Sequence, residues 1–316
     1  MTSRAENFNV KESLPNVLVL GNGILTSCAK CNGIENYSWK DCIAKLSTDC
    51  RKDDAIVKAD GIPYSVKATL IASTEDTARR ESYRDTFKTI KFDDHELLKK
   101  LINAGFDAIL TTNYTYEIEN CFHRGYSELK SKEKYAKTIA RKYLGARTDS
   151  RYLLHTYNKF KNSPQIWHIH GEERRPTSII LTHDEYSRLI AQLVIENKQN
   201  GNKYVEYEND VHYKSWLDYF LMSNLYIVGL GMDFSEFDLW WVLNRRVREK
   251  AQIGKIVFFA PADIKAEIKM ALERMTVTVE SFEELPIPQK LSDEYFLAFY
   301  KKSIEYINND LRRKNK

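Results

Sequence analysis

Two apolar runs that end in glycine pairs constrain the fold of this chain more than any other feature. The run NVLVL leads into Gly21-Asn22-Gly23, and the run LYIV leads into Gly229-Leu230-Gly231. Runs rich in Val, Ile and Leu are typical of strands that are covered on both faces. Glycine permits the sharp turn that brings a phosphate close to backbone amides before a helix. We therefore expect parallel strands whose carboxyl ends form a ligand site.

The alternation of such runs with helical patterns predicts an α/β fold. We expect a Rossmann-like, mostly parallel sheet with helices on both faces and a helical insertion or subdomain. The predicted strands are Asn16 to Leu20, Ala108 to Thr111, Gln165 to Ile169, Leu225 to Gly229, Lys255 to Ala260 and Thr276 to Glu280. One domain is expected over residues 1–316, with a core at about 16–281, helical insertions at about 63–104 and 121–161, and a last helix at 292–312.

Several helix starts can be predicted from capping residues. Asp93-x-x-Glu96 and Thr182-x-x-Glu185 have the spacing of capping boxes, the first opening a helix through Ala104 and the second a helix towards Asn197. Ser235 is predicted to cap the helix that follows the second glycine pair. The apolar stripe of the last helix is Phe296, Phe299, Tyr300, Ile304, Ile307 and Leu311.

Composition excludes some classes of function. No apolar run approaches the ~20 residues of a membrane span, and a net charge of +4 over 316 residues does not indicate a nucleic-acid partner. The first residues contain no apolar signal core, so we expect a cytoplasmic protein with five reduced cysteines. Cys28 and Cys31 form a C-x-x-C pair, but Cys42 and Cys50 do not repeat its spacing, which disfavours a zinc site.

Asn113 and His170 are polar residues that each follow the predicted end of a strand. Asn113 can hold a ribose hydroxyl or a water through its amide, or it can cap the next helix. His168 and His170 flank Ile169, so a strand period places both on one face, where they suggest a general base or a pair of metal ligands. A metal hydrolase using His168, His170 and His183 is the weaker interpretation, because no further ligand completes its spacing.

These segments together resemble the NAD-binding core of the sirtuins. GNGI resembles the GAGIS loop, TTNYT the TQNID motif, IHG the catalytic LHG and VGLGMD the GTS segment, over about Asn16 to Ser281. The stretch YSWKDCIAKL looks more like the divergent sirtuin-like domains of bacterial anti-phage defence proteins. The resemblance implies an NAD+ hydrolase that releases nicotinamide and ADP-ribose, with NAD as its substrate and no metal.

The resemblance also assigns roles to individual residues. His170 matches the catalytic histidine and Asn113 the asparagine on the ribose side. The implied NAD-binding residues are Gly21, Asn22, Gly23, Thr112, Thr115, Gly229, Gly231 and Asp233. Thr115 replaces a sirtuin aspartate, Asn22 an alanine and Leu25 a serine, so the nicotinamide end departs from the family pattern.

Several alternatives and partners follow from the same resemblance. A non-catalytic NAD or nucleotide sensor, a deacylase and an ADP-ribosyltransferase remain open. No cysteine follows Cys121, so the zinc module of the protein deacylases is missing, which favours NAD hydrolysis. The resemblance to the defence proteins implies an effector of abortive infection that is controlled by homo-oligomerisation, by a separate nucleotide-processing or sensing protein, or by both.

Overall fold

The computed structural model describes residues 14–49, 54–94, 96–121, 155–156, 164–199, 216–233, 236–248, 254–282, 285 and 292–314. Its strands are β1 Asn16–Leu20, β2 Ala108–Thr111, β3 His155–Thr156, β4 Gln165–His168, β5 Asn224–Val228, β6 Ile256–Phe259 and β7 Val277–Glu280. Its helices are α1 Asn22–Cys31, α2 Trp39–Asp49, α3 Asp54–Lys58, α4 Tyr64–Ile71, α5 Asp76–Thr86, α6 Glu96–Ile102, α7 Glu117–Asn120, α8 His183–Gln199, α9 Trp216–Met222, α10 Phe237–Arg248, α11 Ala266–Arg274 and α12 Asp293–Lys314.

The strands form one sheet in the order β3-β4-β2-β1-β5-β6-β7. Every neighbouring pair is parallel except β3 with β4, which is antiparallel. The predicted α/β fold with a mostly parallel sheet is therefore confirmed. Because β2 and β5 pair with the two sides of β1, the loops after these strands meet at one edge of the sheet.

Helices cover both faces of the sheet, as predicted. Val17 and Val19 of β1 pack into a core with α8, α9, α10 and α11. Leu18 and Leu20 point the opposite way, into a core with α1, α6 and α12. The apolar stripe of the last helix lies in this second core. Strands buried on both faces explain why the runs in the sequence are nearly free of charge.

A third core joins the helices α2 to α5. Ile43, Leu46, Ala68 and Tyr83 are buried there, and they pack against Tyr114 from the loop after β2. We call α2 to α5 the helical layer. The insertion predicted at 63–104 contains α4 and α5 of this layer, but α6 packs on the sheet instead. The layer also begins earlier, at Trp39.

Other boundaries differ from the sequence predictions. Glu96 donates its backbone N–H to Asp94 at 2.8 Å, so Asp94 and not Asp93 caps α6. The Thr182 capping box is confirmed, because the Glu185 carboxylate accepts the N–H of Thr182 at 3.0 Å. Ser235 and most of the insertion predicted at 121–161 lie outside the described residues, and the described part of that insertion includes the short strand β3.

Within the described parts of the chain, no helix has the length and apolar character that crossing a membrane would require.

Candidate functional site

The two glycine turns contact each other at the carboxyl ends of β1 and β5. Gly21 donates its N–H to Val228 and Gly23 donates to Gly229, each at 2.9 Å. A Cβ on Gly21 would lie 2.3 Å from the Gly229 carbonyl oxygen, and Gly229 has φ +72°. Glycine is therefore required at both positions for the turns to approach this closely.

The amino end of α1 opens beside these turns. Gly21 is its N-cap, no side chain caps the helix, and its first turn contains no acidic residue. Uncapped amides and the helix dipole favour an anion at such an end. The predicted phosphate loop thus has the electrostatics of an anion site, although the N–H groups of Gly21 and Gly23 are already used between the turns.

A cavity of about 240 Å³, which we call the glycine cavity, brings several predicted site residues together. Both turns, the catalytic candidate and the helical layer contribute to its lining. The lining includes Asn22, Gly23, Gly229, Gly231, Asp233 and His170, together with Trp39, Tyr64 and Ser65 of the helical layer. The resemblance to the sirtuins assigns the first six of these residues, Asn22 to His170 in this list, to the NAD site. The structure brings these six residues together in one cavity.

Asn113 lies in a neighbouring cavity of about 170 Å³, the asparagine cavity, together with Thr115, Tyr37 and Lys45. Its backbone N–H and its side-chain amide nitrogen both donate to the Thr111 hydroxyl, at 3.1 and 3.0 Å. It does not cap α7, whose N-cap is Tyr116. Among the described residues no hydrogen bond occupies its Oδ1, which remains able to accept one from a ligand.

Asn22 and Trp39 line both cavities, so the two cavities are neighbours. Each cavity alone is smaller than the ~300–1,000 Å³ of a typical ligand pocket. A dinucleotide would have to extend through both, passing the side chains of Asn22 and Trp39. Asn22 is held in place because its amide nitrogen donates to the Tyr37 carbonyl at 3.1 Å.

His170 is buried and hydrogen-bonded at both ring nitrogens. Nε2 lies 2.9 Å from Oδ2 of Asp238, and Nδ1 lies 3.3 Å from the Tyr186 hydroxyl. Burial would lower the pKa of His170, but the Asp238 carboxylate outweighs this effect and raises it above its usual value. The histidine is thus fixed in orientation at the wall of the glycine cavity.

His168 belongs to a separate network, and the prediction that both histidines share one face is wrong. The strand ends at His168, and Ile169 and His170 form a turn before Gly171 with φ +94°, so the strand period does not extend to His170. His168 Nε2 lies 2.7 Å from Oε1 of Glu119, and its Nδ1 lies 2.7 Å from the Asn113 carbonyl oxygen.

Two carboxylates beside His170 were missed by sequence reasoning. Asp238 is fully buried on α10, and Glu236 comes just before that helix and lines the glycine cavity. One oxygen of each, Asp238 Oδ1 and Glu236 Oε2, is shielded from solvent without a hydrogen-bond partner. A signal for Asp238 existed, because it lies one helical turn before Val242 on the apolar stripe of its helix.

Ligand atoms of His170, Glu236 and Asp238 lie within 4.8 Å of one another, which is the spacing of possible metal ligands. The hydrogen bond between His170 and Asp238 accounts for much of this closeness without a cation. Among the described residues, the cluster of His170, Glu236 and Asp238 is the only group with this spacing. The metal interpretation based on His168, His170 and His183 is therefore not supported.

The C-x-x-C pair lies away from the site. Cys28 is buried and Cys31 exposed on α1, beside a larger cavity of about 560 Å³ between α1, α6 and α12. Burial raises the pKa of the Cys28 thiol to about 12, which keeps it protonated and a poor metal ligand. This cavity contains none of the predicted NAD-binding residues, so its size does not make it the functional site.

The family model for the SIR2-like domain matches residues 107–279, which is more than half of the sequence. The chain belongs to the SIR2-like domain family. No curated protein matches it.

The SIR2-like segment contains Asn113, His170 and the second glycine turn, whereas the first glycine turn and the helical layer precede it. The match indicates an NAD-related function for the protein. Three positions differ from the sirtuin pattern. Leu25 is buried in the core, Thr115 lies within hydrogen-bonding reach of Tyr37 and Glu117, and Asn22 contacts Tyr37.

Two of the predicted NAD-binding residues, Gly21 and Thr112, do not line either cavity. Gly21 lies in the first glycine turn, whereas Thr112 lies after β2. Thr112 is 1% exposed, and its backbone N–H donates to Leu20 at 3.2 Å. Its hydroxyl is buried without a partner among the described residues. Thr112 therefore lies between β1 and the loop that begins at Asn113, and it does not face either cavity.

Proposed function

We propose that this SIR2-like protein is an NAD+ hydrolase that cleaves the bond between nicotinamide and ribose and releases ADP-ribose. One observation carries the proposal. The two glycine turns and His170 line one cavity, Asn113 lines the next, and Asn22 and Trp39 belong to both. A dinucleotide bound along this path would bring its nicotinamide ribose between Asn113 and His170.

Asn113 is proposed to orient the ribose or the attacking water. Its side-chain nitrogen is fixed by Thr111, and its backbone carbonyl is fixed by His168. A carboxamide held in this way presents Oδ1 to the cavity in one orientation. Orientation of a reacting group is worth several kcal/mol of a barrier, because the entropy of alignment is lost before the reaction.

His170 is proposed to accept a proton from the ribose or the water at Nδ1. Asp238 holds Nε2 at 2.9 Å and so keeps the proton on that nitrogen, while the bond from Nδ1 to Tyr186 is longer, at 3.3 Å. A substrate hydroxyl can replace the weaker partner. Asp238 thus acts through His170 as a positioning residue.

Hydrolysis is favoured over deacylation by two features. The first feature is the segment after His170, which continues directly into a 3₁₀ turn, Pro176–Ser178, and α8 and lacks the acyl-lysine cleft motif of the protein deacylases. In addition, the sequence contains no cysteine after Cys121, so it has no four-cysteine zinc module. The helical layer covers the cavities that NAD would occupy, with Trp39 between them.

The test is NAD+ turnover by the purified protein and by Asn113→Ala and His170→Ala. Asn103→Ala and His183→Ala are matched controls, since both residues are exposed and line neither cavity. We expect nicotinamide and ADP-ribose from the wild type and both controls. Each site variant should lose ~10²- to 10⁴-fold in kcat, the usual contribution of acid–base and positioning groups.

Binding of NAD+ should be measured by calorimetry on the same proteins. If the wild type binds NAD+ but does not consume it, alone or with the product of a neighbouring gene, the protein is a sensor module instead. Turnover that requires an acylated peptide would identify a deacylase.

We further propose that the hydrolase is the effector of an anti-phage system and is controlled by self-assembly or by a nucleotide-processing partner. The support is the resemblance of the segment around Trp39 to defence proteins of this type. NAD+ depletion in infected cells, lost in the His170→Ala strain, tests this role.

A further inference from the structure

Glu236 is a carboxyl group in the glycine cavity that the proposed mechanism does not yet use. It lies just before α10, and its backbone N–H donates to the Asp233 carbonyl at 3.1 Å. Its Oε2 is shielded from solvent and has no hydrogen-bond partner among the described residues. One of its oxygens lies within 4.8 Å of both the His170 ring and Asp238.

The chemistry of NAD+ hydrolysis needs a base and no acid for the leaving group. When the bond from the ribose anomeric carbon to nicotinamide breaks, both electrons go to the ring nitrogen, and nicotinamide leaves neutral. The water that attacks the same carbon must lose one proton. A group that accepts this proton must lie in the cavity with an unoccupied lone pair.

His170 is poorly suited to be the only acceptor. Both of its nitrogens have partners, Asp238 at Nε2 and Tyr186 at Nδ1. If His170 exchanges its bond to Tyr186 for one to a ribose hydroxyl, no nitrogen remains for the water. Glu236 has the free oxygen that His170 lacks.

We propose that Glu236 is a second catalytic residue, whose carboxylate accepts the proton of the water that attacks the ribose anomeric carbon. This inference rests on the proposed NAD+ hydrolase. The water oxygen forms the new bond to carbon, the bond to nicotinamide breaks, and the water proton ends on Glu236. His170 then acts on the ribose hydroxyl at Nδ1 and Glu236 acts on the water, so each group has one task.

The electrostatic surroundings suit this role. Burial raises the pKa of Glu236 to about 7, with His170 lowering it and Asp238 and Asp233 raising it. Tyr114 and Tyr186 also face it, and burial raises the pKa of both phenols so that they stay neutral. A base whose pKa lies near the working pH is the most effective.

The test compares Glu236→Gln and Glu236→Ala with the wild type. Glu267→Gln, on the exposed side of α11, is the matched control. We expect both Glu236 variants to lose ~100-fold or more in kcat, which is the usual contribution of a general base. Their affinity for NAD+, measured by calorimetry, should change less than about threefold, because a base acts on the reaction rather than on binding. The control should behave as the wild type.

Two further readouts separate a base from a structural residue. Azide attacks carbon without losing a proton, so it should restore nicotinamide release to Glu236→Ala and form ADP-ribosyl azide. In the wild type, kcat should rise with pH through about 7 as Glu236 ionises, and Glu236→Gln should lack this rise.

Contrary outcomes are distinct. Wild-type kcat and pH dependence in Glu236→Gln would overturn the role of Glu236 and leave the hydrolase intact. Parallel loss of NAD+ binding without azide rescue would mean a structural role, and loss of wild-type turnover in EDTA would assign the cluster to a cation. Both results overturn the proposal. A wild type that never consumes NAD+ refutes the hydrolase and this role together.

Discussion

The buried pair of His168 and Glu119 predicts that the stability of this protein falls with rising pH. Both side chains are fully buried, and Nε2 lies 2.7 Å from the carboxylate. The other nitrogen, Nδ1, faces the Asn113 carbonyl at 2.7 Å. Because both partners are acceptors, the ring satisfies them only when both of its nitrogens are protonated.

The pKa of His168 gives the size of the effect. Burial would lower this pKa, but the Glu119 carboxylate, with smaller contributions from Glu172 and the Asn113 carbonyl, raises it from 6.5 to about 9. At ~1.4 kcal/mol per unit, the protonated ring contributes about 3 kcal/mol to the free energy of unfolding. A raised pKa means that this contribution is complete below pH 6.5 and is lost as the pH rises through 9.

Urea unfolding at pH 6, 7.5 and 9.5 measures this loss. The double variant His168→Gln/Glu119→Gln removes both charges together, which avoids leaving one buried charge unpaired. His183→Gln is the control, since that histidine is exposed. We expect the wild type and the control to lose about 3 kcal/mol more than the double variant between pH 6 and 9.5. Parallel curves for all three proteins would refute the reasoning.

Three other perturbations give sharp expectations. Asp238→Asn should lower kcat for NAD+ at least ~100-fold with little change in KM, because His170 would lose the carboxylate that orients it. Steady-state kinetics measures kcat and KM separately, and an equal change in both constants would contradict this role of Asp238. NAD+ turnover should persist in EDTA, while loss restored by one metal would show a metal hydrolase. Gly21→Ala should lower the free energy of unfolding by about 1–3 kcal/mol, because its Cβ would meet the Gly229 carbonyl. Gly231→Ala should leave the free energy of unfolding unchanged, because a Cβ at this position would meet no other atom within 4 Å. Thermal unfolding of both glycine variants measures the difference.

The sheet was predictable because most of its strands are buried on both faces; among the predicted strands only the edge strand β7 is largely exposed or half-buried. Each of the six predicted strands is present within one residue at either end, since the limits of an uninterrupted apolar run mark where the strand begins and ends. The strand β3 has two residues, His155–Thr156, and too few side chains to form a pattern. The early end of β4 at His168 depends on the turn before Gly171, which a two-residue period does not anticipate.

The site was only partly predictable, for a different physical reason. Gly23, Gly229 and His170 lie at strand ends, and the sheet topology alone brings strand ends together. Asp238 and Glu236 come from the start of a helix, and only the packing of α10 against the sheet brings them to His170. The helical period places Asp238 on the buried stripe of α10, but it does not show that this stripe meets His170, so a strand-end argument finds the histidine and misses its carboxylates.

The helical layer and the sheet edge together form a site that neither forms alone. The sheet edge supplies the glycine turns, Asn113 and His170, while the layer supplies Trp39 between the two cavities. Tyr114 directly follows Asn113 in the sequence. The centre of its ring lies 4.5 Å from that of Phe87 and 5.7 Å from that of Trp39. Tyr114 in turn donates its hydroxyl to the Ile180 carbonyl at 2.6 Å, ten residues after His170. The aromatic cluster thus links the layer to the loops that contain Asn113 and His170. A displacement of the layer that moved Trp39 would therefore change the lining of both cavities and disturb the Asn113 loop in one step.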